Sequence, residues 1–470
     1  MLFPTVEYAL FFLLSLGLGW GLLRWHRAHK LVLLGLSYVF YGFWDWHFVP
    51  MLFVLSCWAW ACTRGIQSRS LRRLWLILGV TGSLGLLAHY KYSAFFLESL
   101  VDLAALAGFK LELAVSTPML PLGISFMTFH AISLMMDAWR RKLADKVDFA
   151  DSLLYVAFFP QLIAGPILRA SHFLPQLKKR PDPARIETGR ALLLIVAGLF
   201  KKVVLANTLA TLLVDDVFAN PAAMSASQVL LGIYGYAAQI YCDFSGYTDI
   251  AIGCALLLGY RFPLNFDSPY KAASPQEFWR RWHISLSSWL RDYLYIPLGG
   301  SRKGAWRTRL NLFVTMLLGG LWHGAAWNFV LWGAWHGLLL AGHRQWEDFW
   351  GARAADWRRS GWWKWCARLL CFNAICLGWV LFRAGSLSEA QAVLAQLWQG
   401  EWSMNLPLGP LLCAAAGIGL QYLPERFELR LQIGVLRLQP LLHGAVFALA
   451  LVLIEVLGPS EPAPFIYFQF

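Results

Sequence analysis

The sequence predicts an all-α, multi-pass integral membrane protein, with roughly 10–12 transmembrane helices and re-entrant and in-plane pieces among them. Three observations lead there. Of the 470 residues, 58% are hydrophobic, against about 45–50% in soluble domains. Apolar runs long enough to cross a bilayer as helices recur along most of the chain. The cations fall in short clusters between those runs, as expected of cytoplasmic loops.

That clustering also settles how to read the net charge of +13. In a soluble chain it would suggest nucleic acid as a partner; here the lipid bilayer accounts for it, and no nucleic-acid role is expected. The run spacing predicts one membrane domain, 1–470, made of N-terminal helices (1–116), a core (117–345) and C-terminal helices (346–470). The eight cysteines form no CxxC. Cys366, Cys371 and Cys376 sit in an apolar segment and read as structural thiols rather than a disulfide framework or zinc site. The first 23 residues lack a basic n-region and a small-x-small cleavage site, so they read as a retained membrane helix.

The elements follow in order. Tyr8–Leu23 is the first span, and Arg24, Arg27 and Lys30 after it place the N-terminus outside. Leu31–Trp46 returns outward, His47–Pro50 turns, and Met51–Cys62 runs in to Arg64, Arg69, Arg72 and Arg73. Leu74–His89 goes out to an outer loop bearing Glu98, Asp102 and Glu112, and Leu120–Met136 comes back to Arg140–Lys142. Leu153–Leu168 has cations at both ends and is interrupted by Pro160, Gly165 and Pro166. It reads as re-entrant, which requires protein or a water-filled cavity around its broken backbone. Ala191–Val214 carries Lys201 and Lys202 near its middle, so those lysines should snorkel or the helix should lie near the interface.

Val229–Leu258 places Asp243 and Asp249 in an apolar run beside Tyr241 and Tyr247. They read either as structural carboxylates bonded to the tyrosines or as a cavity wall or proton path, the structural reading being favoured. Ser274, Pro275 and Glu277 form a helix start with N-cap, N1 proline and capping-box glutamate. The helix after it repeats Phe278, Trp282, Leu286, Trp289 and Tyr293 at helical spacing, which predicts an interfacial amphipathic helix with aromatic anchors. Leu310–Gly342 contains no Asp, Glu, Lys or Arg. As one helix it would be roughly 50 Å long, against a hydrocarbon core of about 30 Å. It should therefore break near Gly319–Gly320 or Gly324, beside His323. Trp346–Lys364 reads as an interfacial loop or in-plane helix; Ala367–Phe382, Leu408–Leu423 and Leu441–Leu457 are the last spans. The closing PFIYFQF is too apolar for a solvated tail and should dock on this protein or a partner.

The chemistry centres on Ser274–Gly337. There is no P-loop, no GxGxxG after a strand and no HExxH. His323 and His336 are 13 apart, nearly opposite on a continuous helix, which argues against a shared metal; no metal site is expected. Histidine as general base remains, with backbone donors at the glycine break available to an oxyanion. That combination suits acyl transfer to a hydroxyl without a protein nucleophile. A packing role is an equal reading for His323 on composition alone, and is favoured for His283 and His336.

These residues carry a family resemblance. PLGISFMTFHAISLMMDAWR (121–140), FFPQLIAGPILRASHFLPQL (158–177), LFKKVVLANTLA (199–210), the long string from QIYCDFSGYTDIAIG to FWRRWHISLSSWLRDYLYIPLGG (239–300) and LLGGLWHGAAWNFVLWGAWHG (317–337) resemble the membrane-bound O-acyltransferase superfamily, in the bacterial branch that includes the alginate O-acetylation membrane protein. The resemblance covers about residues 120–340. It implies a bowl of helices with a central tunnel, where a cytoplasmic donor meets an acceptor from the other face. It implies His323 as catalytic histidine and His283 at a second conserved position, occupied in the family by Asn, Asp or His. The expected chemistry is O-acetylation of an exopolysaccharide such as alginate or cellulose from the inner membrane, with acetyl-CoA as donor, no bound cofactor, and a periplasmic SGNH-type acetyltransferase partner. Arg280, Arg281, Trp279, Trp282, Trp322 and Asn328 are candidates for substrate binding, and Asp243, Asp249, Tyr247 and His336 for lining the tunnel. The alternatives are a non-enzymatic acyl or glycan conduit or flippase, for which the breaks do not form the expected matched pair, and a D-alanyl-transferring relative fed by a carrier protein.

Overall fold

The computed structural model describes residues 3–68, 70–111, 113, 118–163, 165–351, 359–459 and 463–468. Arg69, Glu112 and Ala164, residues 352–358 of the Trp346–Lys364 stretch, and the last two residues of PFIYFQF lie outside the described residues. All regular structure among the described residues is helical. Helices spanning His26–Gln67, Thr188–Ala219 and Gly361–Arg383 are long and apolar enough to cross a membrane, and Val6–Gly21, Leu408–Tyr422 and Leu441–Leu457 are shorter apolar helices. The outer faces fit lipid: Leu10, Leu13, Val54, Leu78 and Leu449 are exposed, while Ser15, Ser37, Ser56 and Ser83 are buried. Each of those serines donates to the carbonyl one turn back, at 2.7–2.8 Å, which satisfies a hydroxyl where no water is at hand.

The chain forms two compact units, Met1–Thr188 with Cys254–Pro263, and Gly189–Gly253 with Leu264–Phe470. In the first, Ile124–Trp139 is buried along nearly its whole length. The Leu153–Leu168 stretch is broken as its prolines require: helices Phe149–Ala157 and Phe159–Leu162 are followed by irregular backbone. Its described residues are buried, and its loose ends are tied by side chains. Tyr155 Oη donates to Leu168 O (2.7 Å) and the Leu168 N–H donates to His130 Nε2 (3.3 Å). Irregular backbone at this depth survives only with such partners.

The second unit contains the two histidine-bearing segments. The apolar run breaks at the later of the two expected glycines: one helix covers Gly304–His323, Gly324 is extended, and the next covers Trp327–Trp350. Gly320 instead serves packing. A Cβ on Gly320 would lie 2.8 Å from Gly333 Cα, and one on Gly333 would lie 2.5 Å from Met316 O, so these helices meet backbone to backbone, as small residues allow. Gly333→Val should therefore lower the thermal midpoint of the purified protein markedly, overpacking costing about 1–3 kcal/mol or more; an unchanged midpoint would contradict the packing.

Several expectations need correcting. Pro275–Leu290 is not one amphipathic helix but two short ones, Pro275–Arg281 and Ile284–Leu290, broken at Trp282–His283. Its aromatic residues Phe278, Trp279, Trp282 and Trp289 are buried in protein rather than anchored in an interface, because the break turns both short helices into the aromatic interior. Lys201 and Lys202 do not snorkel: Lys201 pairs with Asp249, and Lys202 with Asp243 at 2.8 Å. The two aspartates thus have lysine partners, with Tyr241 and Tyr247 lying under the ammonium groups (5.8 Å each); opposite charges offset each other's desolvation as a phenol does not. Of the Trp346–Lys364 stretch, read as an interfacial loop or in-plane helix, Trp346–Trp350 is helical as the end of the Trp327–Trp350 helix and residues 361–364 are helical as the start of the Gly361–Arg383 helix.

Candidate functional site

His283 is placed by an unusual backbone. It sits at the start of the Ile284–Leu290 helix with φ 42° and ψ 55°, a left-handed conformation. Among non-glycine residues that region favours Asn, Asp and His. The three types expected at this position are thus the ones its backbone tolerates best.

Its imidazole is fully buried, and Asn265 decides its hydrogen-bonding state. Asn265 Oδ1 accepts from the Ser285 N–H (3.1 Å) and from Ser285 Oγ (2.9 Å), and lies 3.2 Å from His283 Nδ1. A backbone N–H can only donate, so the Asn265 atom facing it must be the carbonyl oxygen. That oxygen only accepts, so Nδ1 carries the hydrogen, and in the neutral imidazole Nε2 keeps its lone pair. His283 Nε2 is buried without a hydrogen-bond partner among the described residues. Asn265 itself is held by its own carbonyl, which accepts from the Ile284 N–H (2.9 Å).

His323 ends its helix one residue before the Gly324 break and is buried. Aromatic rings surround it: Trp322 and Trp332 at 4.9 Å between centroids, Phe382 at 5.2 Å and Tyr467 at 5.7 Å. Trp322 also faces His283 at 6.4 Å, so one indole lies against both imidazoles. After the break, the Trp327–Trp350 helix begins at Ala326 with no side-chain cap. The positive end of its dipole thus lies three residues beyond His323.

The other expected residues separate into groups. Trp322 joins both histidines, as above. Asn328 donates to Ala384 O (2.6 Å) and is buried, which fits bracing of the helix start. Trp279 packs on His336 (5.1 Å) and Trp332 (5.8 Å), while Trp282 packs on Trp379 (4.9 Å) and Phe266 (5.0 Å). His336 is buried among these rings and shares Trp332, 4.7 Å away, with His323. Arg281 is engaged by Glu277 (3.0 Å) and Asp267 (3.1 Å), whereas Arg280 is exposed. Asp243, Asp249 and Tyr247 belong to the lysine pairs already described. Among the described residues no three His, Cys, Asp or Glu side chains converge.

Asn265, Phe382 and Tyr467 were not anticipated at the histidines. Asn265 lies 18 residues before His283 in irregular backbone, so no shared helix signals the pairing. The aromatic closing segment did signal burial, but not its target. It docks on this protein: Phe465 packs on Tyr247 (4.0 Å), and Tyr467 on Phe244 (4.6 Å).

Comparison with known proteins completes the picture. The profile described as MBOAT, membrane-bound O-acyltransferase family, matches residues 41–382. A Pseudomonas putida protein named "Probable alginate O-acetylase AlgI" is 40% identical over 407 residues, 84% of this chain and 80% of that one. The "Peptidoglycan O-acetyltransferase" of Helicobacter pylori is 37% identical, covering 84% of this chain and 79% of its own. The "Teichoic acid D-alanyltransferase" of Bacillus subtilis is 28% identical over 56% of this chain and 68% of its own.

Proposed function

The chain belongs to the membrane-bound O-acyltransferase family, and from that premise we propose that it passes acetyl from a cytoplasmic thioester, acetyl-CoA, across the inner membrane for O-acetylation of an exopolysaccharide. O-acyltransfer by a multi-pass membrane protein follows from the family; the donor, the direction and the residue roles are our reading. The observation that carries it is the pair of buried imidazoles, His283 and His323, that share Trp322 as a neighbour.

In this reading the acetyl carbonyl carbon is attacked by an acceptor hydroxyl. The C–O bond forms, the hydroxyl proton goes to His323, the C–S bond breaks, and His323 returns that proton to the departing thiolate, which leaves as the thiol. His283, with hydrogen on Nδ1 and a lone pair on Nε2, accepts a hydrogen bond or proton and cannot donate from Nε2. That tautomer suits accepting a hydrogen bond rather than polarising the donor carbonyl. The N–H groups at the uncapped helix start after Gly324 are better suited to the developing oxyanion. Arg280, being exposed, is better suited than Arg281 to attract an anionic donor at the cytoplasmic mouth. A periplasmic N-terminus agrees with the distribution of cations, and an SGNH-type acetyltransferase is the partner expected to carry acetyl to the polysaccharide.

The greater identity and coverage of the O-acetylating relatives favour acetyl over D-alanyl. The purified protein in lipid, offered labelled acetyl-CoA or a D-alanyl carrier protein in parallel, should consume the first at least tenfold faster. Preference for the carrier would move the chain to the D-alanyl class. Movement of substrate without turnover of either donor would support a conduit.

A further inference from the structure

We propose that the buried Lys202–Asp243 pair is a clamp that seats the segment Ala463–Phe468 against the ring shell of His323 and His283. Lys202 lies in a π-helical turn, Phe200–Ala206, and Asp243 on the Ala226–Leu257 helix. The two helices touch at glycines: a Cβ on Gly246 would lie 2.7 Å from Gly198 O and 3.2 Å from Lys202 N. This approach brings Lys202 Nζ within 2.8 Å of Asp243 Oδ1, with both side chains 2–3% exposed. A pair serving only to join two helices needs nothing further. Here each member spends its remaining bonding capacity on the closing segment. Lys202 Nζ donates to Ala463 O (2.9 Å), and Asp243 Oδ2 accepts from the Ile466 N–H (2.8 Å).

The bonds set the register of the segment. With Ala463 and Ile466 held, Phe465 falls on Tyr247 (4.0 Å), and Tyr467 lies 4.6 Å from Phe244 and 5.7 Å from His323. Phe244 in turn lies 4.6 Å from His283. The segment therefore closes over rings that contact both histidines, and Lys202 and Asp243 act as positioning residues through it. The neighbouring pair provides an internal control. Lys201 bonds Asp249 and Ser245 Oγ (3.0 Å), a partly buried arrangement between the same two helical segments that is directed at other helix residues.

The test uses the full chain in lipid nanodiscs. Hydrogen exchange is read over residues 463–468, and turnover of labelled acetyl-CoA is read separately. Lys202→Met, Asp243→Asn and their double variant should speed exchange in the segment roughly tenfold or more, the loss expected for charge-assisted bonds. They should lower turnover by at least tenfold. Lys201→Met with Asp249→Asn should lower the thermal midpoint without loosening the segment. If a single variant leaves an unpaired buried charge and fails to fold, the neutral double variant is decisive. Wild-type exchange in a folded clamp variant, or equal loosening in the control pair, would overturn the proposal; so would a loosened segment with unaltered turnover. The turnover arm rests on the acetyl-transfer reading. Should the wild type consume no acetyl-CoA, that reading fails, and the exchange arm still decides the clamp.

Discussion

His323→Ala should abolish acetyl transfer by the purified protein while leaving insertion, yield and thermal midpoint close to wild type. A positioned general base contributes about 10²–10⁴-fold, so residual turnover of labelled acetyl-CoA should be at most about 1% of wild type. The fold should tolerate the change because the neighbouring helices meet at Gly320 and Gly333, not through the imidazole. His323 packs on rings that pack on one another, as Trp332 does on Phe382 at 5.3 Å. The cavity left by the ring should therefore cost stability modestly, against a large loss of rate. Full turnover in this variant would show that His323 is a packing residue and that the base lies elsewhere. A folded variant retaining donor hydrolysis but not transfer to acceptor would assign His323 to activating the acceptor.

Replacing His283 by asparagine should lower turnover about 10–100-fold without unfolding the protein. Asparagine tolerates the left-handed backbone at this position, so the exchange removes the imidazole while preserving the chain turn. His283→Ala should do worse in stability, because alanine adopts φ 42° only with strain of about 1–2 kcal/mol. Asn265→Ala should follow His283→Asn in rate. It removes the oxygen that fixes the imidazole tautomer and leaves the Ser285 N–H without that acceptor. An Asn265 variant that keeps full turnover would mean that the tautomer is held by something else. An unchanged rate in His283→Asn would mean that the position is selected for its backbone conformation rather than for its ring.

Much of this architecture was readable from linear pattern. The helices at Val6–Gly21, His26–Asp45 and Gly361–Arg383 follow from apolar length, since lipid leaves the backbone no other spanning solution near these termini. The helix start at Ser274 followed from local chemistry: its Oγ accepts from the Glu277 N–H at 3.1 Å. The Gly324 break followed from a run too long for the bilayer. Less visible was what each polar side chain would meet. Lys201 and Lys202 were read as snorkelling because no sequence pattern ties them to carboxylates more than forty residues away.

The sequence by itself determined the membrane class, the family motifs, and the two histidines on which the chemistry is expected to turn. These depend on composition, on spacing along one helix, and on short strings. Tertiary structure alone decided that Trp279 and Trp282 are interior packing residues, that Asn265 directs the hydrogen on His283, and that the closing segment lies against Tyr247, Phe244 and His323. Each of these is a contact between residues distant in the chain. Such contacts form where burial makes an unpaired polar group costly, so they depend on which helices come together rather than on the period of any one of them.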